Sequence, residues 1–340
     1  MKLIRTEDAV GQVLCHDMTQ IIRGVKKDAV FRKGHVITQE DIPVLLSIGK
    51  EHIYIWENDE TMLHENDAAK ILYDLCKNDH MRPTEMKEGK IELIAECDGL
   101  LKLDRDRLNK INALGDMMIA CRHGDFPVRK GDKIAGMRVI PLVIEKEKMQ
   151  KAIEAGAQTP VFELKPFVKK TAAIVTTGSE VYYGRIQDTF TPVVEEKLSE
   201  YGITVIGHET SNDDPEKTAE AVRHMLELGA EMVICTGGMS VDPDDKTPAA
   251  IRSVTESVVT YGAPVLPGAM FLLAYTKDTK VPVMGLPGCV MYARRTIFDL
   301  VLPRVTAGER LEKEDFAVMG EGGLCLSCPV CTFPNCGFGK

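Results

Sequence analysis

In the stretch ICTGGMSVDPDDKTPAA, residues 234–250, an apolar run stops at Gly237 and Gly238, meets Ser240 and a group of aspartates, and then opens a helix-like segment at Thr247 and Pro248. A hydrophobic core has no use for that order of residues, whereas a phosphate with a metal ion does. Adjacent glycines let backbone N–H groups approach an anion closely and take conformations closed to other residues, which makes an anion nest. Asp245 stands just before the helix, where a carboxylate oxygen suits Mg²⁺ bridging the protein to phosphate. Pro248 fits the first turn of that helix, and the helix dipole there also favours an anion.

Two further turns have the same character. TTGSEVYYGRIQDTF, residues 176–190, carries Thr177, Gly178, Ser179, Glu180 and Asp188, and the turn at 285–288 reads Gly285, Leu286, Pro287, Gly288. The plainer reading is that Asp188 or Thr189 caps a helix and that Gly237 and Gly238 make an ordinary turn. Capping needs alone do not readily produce three such turns at successive strand ends, so a ligand site is expected where they converge. Thr177, Gly178, Ser179, Glu180, Thr236, Gly237, Gly238, Ser240 and the 285–288 turn are its expected lining. Asp188 and Asp245 are the expected catalytic, Mg²⁺-handling carboxylates.

The elements that must position these turns are legible from period and punctuation. Strand-like runs occur at AAIVTTG (172–178), ITVIGHET (203–210), MVICTGG (232–238) and VPVMGLPG (281–288). Between them Phe190, Val193, Val194, Leu198 and Tyr201 share a helical face that Gly202 closes, and Asp214 and Pro215 open a second helix that ends at Gly229. Near-continuous apolar strands alternating with helices predict an α/β fold, a mostly parallel sheet with helices on both faces, whose ligands bind beyond the strands' carboxyl ends. The chain divides into a small β-rich domain at 1–58 with one short helix near Gln39 to Ser47, an α+β region at 59–168, the α/β domain at 169–306 and a Cys-rich tail at 307–340. Trp56 reads as an anchor for the first of these. In the second, Ala68, Ala69, Ile71, Leu72 and Leu75 share a helical face, and strands are expected around Ile91 to Glu96 and Arg138 to Ile144.

Taken together, TTGSE…GRIQDTF, VICTGGMSVDPDDKTPAAI and GLPG resemble the molybdopterin-binding domain shared by the molybdopterin adenylyltransferases and molybdopterin molybdenumtransferases of molybdenum-cofactor biosynthesis. The resemblance covers about residues 170 to 306, with Gly238, Asp245, Thr247 and Pro248 on the adenylyltransferase register. It implies a Mg²⁺-dependent, molybdenumtransferase-like transfer at molybdopterin or adenylylated molybdopterin. Gly237, Gly238 and Ser240 would hold phosphate and pterin, Asp188 and Asp245 Mg²⁺ and the phosphoanhydride, and Gly285 to Gly288 the pterin pocket. It also implies a homo-oligomer. The chain departs from the molybdenumtransferase branch at Ala269, where that branch has lysine, at Cys289 and Val290 after the second glycine of GLPG, and in lacking the branch's Ser-x-x-Asp-Gly-Tyr-Ala segment. The missing lysine and N-terminal aspartate favour a second reading, a non-catalytic molybdopterin carrier or sensor with a molybdoenzyme partner, whereas the intact Asp188 and Asp245 favour the enzyme. A third is hydrolysis of another nucleotide pyrophosphate.

The tail reads CLSCPVCTFPNCGFGK and sets Cys325, Cys328, Cys331 and Cys336 in a CxxCxxCxxxxC pattern. Four thiolates at that spacing suit tetrahedral Zn²⁺ or an iron–sulfur cluster, and the run is similar to a bacterial ferredoxin run with a last gap one residue longer. The remaining six of the ten cysteines are scattered, as in a reduced compartment. With 340 residues, 44% hydrophobic and 27% charged, the chain is globular. A net charge of −9 and the absence of basic clusters argue against nucleic acid or anionic membrane as partners. No run is long and apolar enough for a membrane span, and charge comes too early for a secretory signal, so a cytoplasmic location is expected. His208, in a strand-like run, reads as a packed or surface residue, and His16 and His123 as structural.

Overall fold

Strands buried at almost every position need cover on both faces, and the second half of the chain provides it for Thr171–Thr177, Val233–Thr236 and Pro282–Leu286. The computed structural model describes residues 2–55, 59–156, 159–240, 242–243 and 245–340, so Trp56 lies outside the described residues. It contains two compact units, Met1–Glu96 with Leu103–Arg122 and Gly131–Glu163, and Cys97–Lys102 with His123–Lys130 and Leu164–Lys340.

In the second unit the elements, in chain order, are β1 (Thr171–Thr177), α1 (Ser179–Tyr182), α2 (Thr191–Ser199), β2 (Thr204–Ser211), α3 (Pro215–Glu227), β3 (Val233–Thr236), α4 (Thr247–Val254), β4 (Ser257–Tyr261), β5 (Leu272–Tyr275), β6 (Pro282–Leu286) and α5 (Ile297–Thr306). The sheet order is β2-β1-β3-β6-β5-β4. The first four strands are parallel, while β5 runs antiparallel to both β6 and β4. This is the expected α/β fold, extended at one edge by β5, the reversed strand of the sheet, and by β4, which again runs with the parallel strands.

Alternation along the strands sorts side chains to two faces. Ala172 and Ile174 join a core with Val194 and Leu198 of α2 and Phe298 and Val301 of α5. Ala173 and Val175 join the opposite core with Val222 and Met225 of α3 and Ile251 of α4. Asp214 caps α3 by accepting the Glu216 N–H at 2.9 Å, and Pro215 takes the first position. Residues 307–340 offer little apolar material of their own, yet Leu311, Phe316 and Phe338 are buried in the α2–α5 core.

The first unit has an antiparallel sheet of four strands in the order Met81–Pro83, Ile91–Ala95, Lys133–Val139, Met117–Cys121. A helix at Glu65–Cys76 buries Ala68, Ala69, Leu72 and Cys76. Its N-terminal portion pairs Lys2–Arg5 with His52–Ile55 and Met18–Ile22 with Lys26–Phe31, and has the short helix at Asp41–Ser47. Leu14, Met18, Ile37, Leu45 and Ile53 form the core of that portion. Among the described residues, no helix is long and apolar enough to cross a membrane.

All ten residues of α5 are buried, including Asp299 and Arg304. Buried charges must be paired and hydrogen-bonded. Asp299 receives Lys197 Nζ at 2.7 and 2.9 Å, Arg295 Nη1 at 2.8 Å and the Thr296 N–H at 2.7 Å. Lys197 also donates to the Arg294 carbonyl at 2.9 Å. Replacing Lys197 by Met removes one partner and leaves a buried carboxylate short of a charge. The expected loss is about 3 kcal/mol of unfolding free energy, measurable by urea denaturation.

Candidate functional site

The chain leaves β1 toward β2 on one side and leaves β3 toward the opposite edge of the sheet, so β1 and β3 flank a topological switch point. A crevice opens beyond the carboxyl ends of strands at such a point. Thr176 of β1 and Thr236 of β3 are directly in register, so the two strands end level.

Hydroxyl groups tie these ends together. Thr177 Oγ1 donates to the Thr236 carbonyl at 3.1 Å and lies 2.9 Å from Thr247 Oγ1, at the start of α4. Gly237 and Gly238 follow with φ of +84° and +56°, in the left-handed region. A Cβ on Gly237 would overlap the Thr177 carbonyl oxygen, and one on Gly238 would stand 2.6 Å from Thr247 Oγ1. Only glycine permits this approach. The result is a tight turn of backbone beside the N-terminus of α4, the arrangement that binds anions.

Asp245 is half-buried and its Oδ2 accepts the Ser240 N–H at 3.0 Å, while its own N–H donates to the Asp242 carbonyl at 3.0 Å. Tyr261 OH donates to the Met239 carbonyl at 2.9 Å. Burial first, and then the Asp245 charge, push the Tyr261 phenol above its usual pKa. The carboxylate thus closes its own loop and presents negative charge next to the glycine turn.

Asp188 is more heavily engaged. Its Oδ1 accepts the N–H groups of Phe190 at 2.8 Å and Thr191 at 3.0 Å, which caps α2. Its Oδ2 accepts the hydroxyls of Thr191 at 2.6 Å and Thr176 at 3.1 Å. His208 Nε2 is 3.0 Å from Thr176 Oγ1 and 3.6 Å from Asp188 Oδ2. Burial alone would raise the Asp188 pKa, but the hydrogen bonds from Thr191, Phe190 and Thr176 outweigh it and hold the carboxyl below its ordinary value.

The other expected residues divide between surface and core. Gly178 has φ +137° and donates its N–H to the Ser211 carbonyl at 3.1 Å, Ser179 N–H donates to Asp213 Oδ2 at 2.9 Å, and Glu180 is exposed. Thr236 and Leu286 are fully buried, and Pro287 is buried as well. Gly285 makes room for Met239, since a Cβ there would stand 2.5 Å from its sulfur. Gly288 is exposed and starts the short turn Gly288–Met291. Cys325, Cys328, Cys331 and Cys336 all line one cavity elsewhere in the unit. Among the described residues, no three His, Cys, Asp or Glu side chains form a group that could hold a single metal ion.

Sequence reasoning passed over Thr176, Thr191, His208 and Asp213. A signal existed for Thr191, three residues after Asp188, where a hydroxyl and an N–H can both return to a capping carboxylate. His208 and Asp213 come from β2 and the loop after it, and only strand pairing brings them near.

The ends of β1 and β3 in this α/β domain thus carry a glycine turn, the N-terminus of α4 and, in the loops that follow the strands, the carboxylates of Asp188 and Asp245. Residues 173–307 match the family described as "Probable molybdopterin binding domain", and this domain of the chain belongs to that family. Residues 3–57 match "Domain of unknown function (DUF8806)". The chain is 24% identical over 174 residues to a molybdopterin molybdenumtransferase of Synechococcus elongatus, an alignment covering 48% of this chain and 43% of that one. It is 28% identical over 127 residues to a "Putative competence-damage inducible protein" of Bacillus cytotoxicus, covering 36% and 31%. The chain therefore matches less than half the length of these curated relatives. Among solved structures it is similar to a molybdopterin biosynthesis enzyme, MoaB, of Thermus thermophilus, with 22% identity, a TM-score of 0.36, and coverage of 41% of this chain and 98% of that one.

Two glycines give opposite expectations. Gly237→Ala forces a left-handed alanine, costing about 1–3 kcal/mol before the overlap with Thr177 is counted. Gly288→Ala meets open space and should stay within roughly 0.5 kcal/mol of wild type. Thermal or urea unfolding of both variants checks the pair. A depressed Asp188 pKa contributes stability that is fully present above the unfolded carboxylate value of about 3.9 and is lost as pH falls through the lower folded value. Asp188→Asn should therefore flatten the part of the acid-unfolding curve below about pH 4 relative to wild type.

Proposed function

We propose that the domain at 173–307 binds molybdopterin or its adenylylated form through the phosphate end, and that the protein acts as a Mg²⁺-dependent, molybdopterin molybdenumtransferase-like enzyme. The observation that carries this reading is the pinch of Thr177, Gly237, Gly238 and Thr247 at the switch point, inside the segment that matches the molybdopterin-binding family. The glycine turn and the N-terminus of α4 receive phosphate oxygens. Ser179 and Glu180 line the β1 side of the crevice, and Gly288 the β6 side.

Mg²⁺ keeps most of its ligands as water and phosphate oxygens, so one or two protein carboxylates suffice, and the residues present fit that demand. Asp245 is the better candidate, because Asp188 must release a threonine hydroxyl before it can ligate. Bound there, the ion would draw charge from the phosphoanhydride. Asp188 then keeps the start of α2 and its loop in place.

The saturation of Asp188, together with Ala269 where the transferase branch has lysine, supports the alternative of a non-catalytic carrier. Release of AMP from adenylylated molybdopterin with Mg²⁺ and molybdate, measured anaerobically, separates the two. The expected outcome is Mg²⁺-dependent release that Asp245→Asn lowers by roughly a hundredfold with the fold intact. Pterin bound without AMP release supports the carrier, and neither binding nor release overturns both.

A further inference from the structure

The tail is a closed loop whose anchors make no use of its thiols. At its start Leu266 N–H donates to the Gly323 carbonyl and Cys325 N–H to the Leu266 carbonyl, both at 2.8 Å. At its end Gly339 N–H donates to the Gly322 carbonyl at 2.8 Å, and Phe338 is buried in the core. The two ends meet so closely that a Cβ on Gly322 would overlap the Lys340 carbonyl. In between, Arg294 Nη1 donates to the Pro329 carbonyl at 2.8 Å, and Arg295 lies over the Phe333 ring, 5.0 Å from its centre.

Cys325, Cys328, Cys331 and Cys336 all line one cavity of about 570 Å³ inside this loop, whose wall includes Pro267 and the segment Tyr292 to Arg295. Four cysteines on one cavity are the full ligand complement of a thiolate metal site. The space between them decides what kind. Zinc gathers four sulfurs at about 2.3 Å from one point, which leaves no cavity among them. Here all four border a common volume. An iron–sulfur core fills such a volume, because its iron and sulfide atoms stand between the thiolates. A cluster on four thiolates carries net negative charge, and Arg294, which lines the cavity and reaches the Pro329 carbonyl of the loop, complements it.

We propose that Cys325, Cys328, Cys331 and Cys336 hold a [4Fe–4S]-type iron–sulfur cluster in this cavity. The site is independent of the pterin reading, although Tyr292 on its wall follows Gly288 by four residues and so lies within about 14 Å of it. Cys328 and Cys331 are exposed, so the cluster is open to oxygen.

The test uses the full chain, purified anaerobically and reconstituted with ferrous iron and sulfide. The expected result is a brown protein with about four iron atoms and four acid-labile sulfides per chain and a broad visible absorption that bleaches on reduction. Cys328→Ser/Cys331→Ser, at exposed positions, should lose most of the iron and the visible band while its far-ultraviolet circular dichroism stays that of the wild-type apoprotein. Cys121→Ser, outside the loop, should keep both. A colourless protein with one zinc per chain overturns the proposal, as does a wild-type chain that takes up no iron, or iron uptake unaffected by the double substitution.

Discussion

Everything at the rim depends on how closely β3 may end against β1. The carbonyl of Thr177 stands where the side chain of residue 237 would be, so the turn after β3 exists only because that residue has no Cβ. Given that approach, Thr177 Oγ1 can bridge both the end of β3 and the start of α4. One hydroxyl thereby fixes two strand ends and a helix N-terminus. A larger residue at 237 would separate the strands and displace α4 together with the loop that Asp245 closes.

Charge is placed with the same economy. Lys197, Asp299 and Arg295 are paired inside the α2–α5 core, and Arg304 is held by Glu309 at 2.9 Å and Asp315 at 2.6 Å. These charges lie in or against α5, a helix buried on every side, where an uncompensated ion would cost several kcal/mol. At the rim, by contrast, Asp245 keeps only a short local attachment. Fully satisfied carboxylates hold the scaffold, and the less committed one stands in the loop after the glycine turn.

Three of the parallel strands were legible because β1, β3 and β6 are largely apolar and buried, whereas the edge strand β2 is half-exposed, and Asp214–Pro215 and Gly229 marked the ends of α3 with the residues helix termini require. The antiparallel edge was not. LLAY of β5 is a short apolar run that period alone cannot tell from helix, and SVVTY of β4 lacks the alternation that marks a half-buried strand. The rim glycines could be read from their pairing with aspartate. The engagement of Asp188 could not, because its outcome turns on Thr176 and His208, which strand pairing brings to it from other parts of the chain. Nor could composition show that Phe316 and Phe338 of a Gly- and Cys-rich tail complete the core of the domain before it.

Asp188 caps α2, and α2 carries Lys197, which grips Asp299; Asp299 in turn holds Arg295, whose guanidinium rests on Phe333 within the cysteine loop. The rim and the loop are therefore linked in series through a few stiff contacts. Loosening the Lys197–Asp299 pair would thus slacken the support of α2 and of the Arg295–Phe333 contact together.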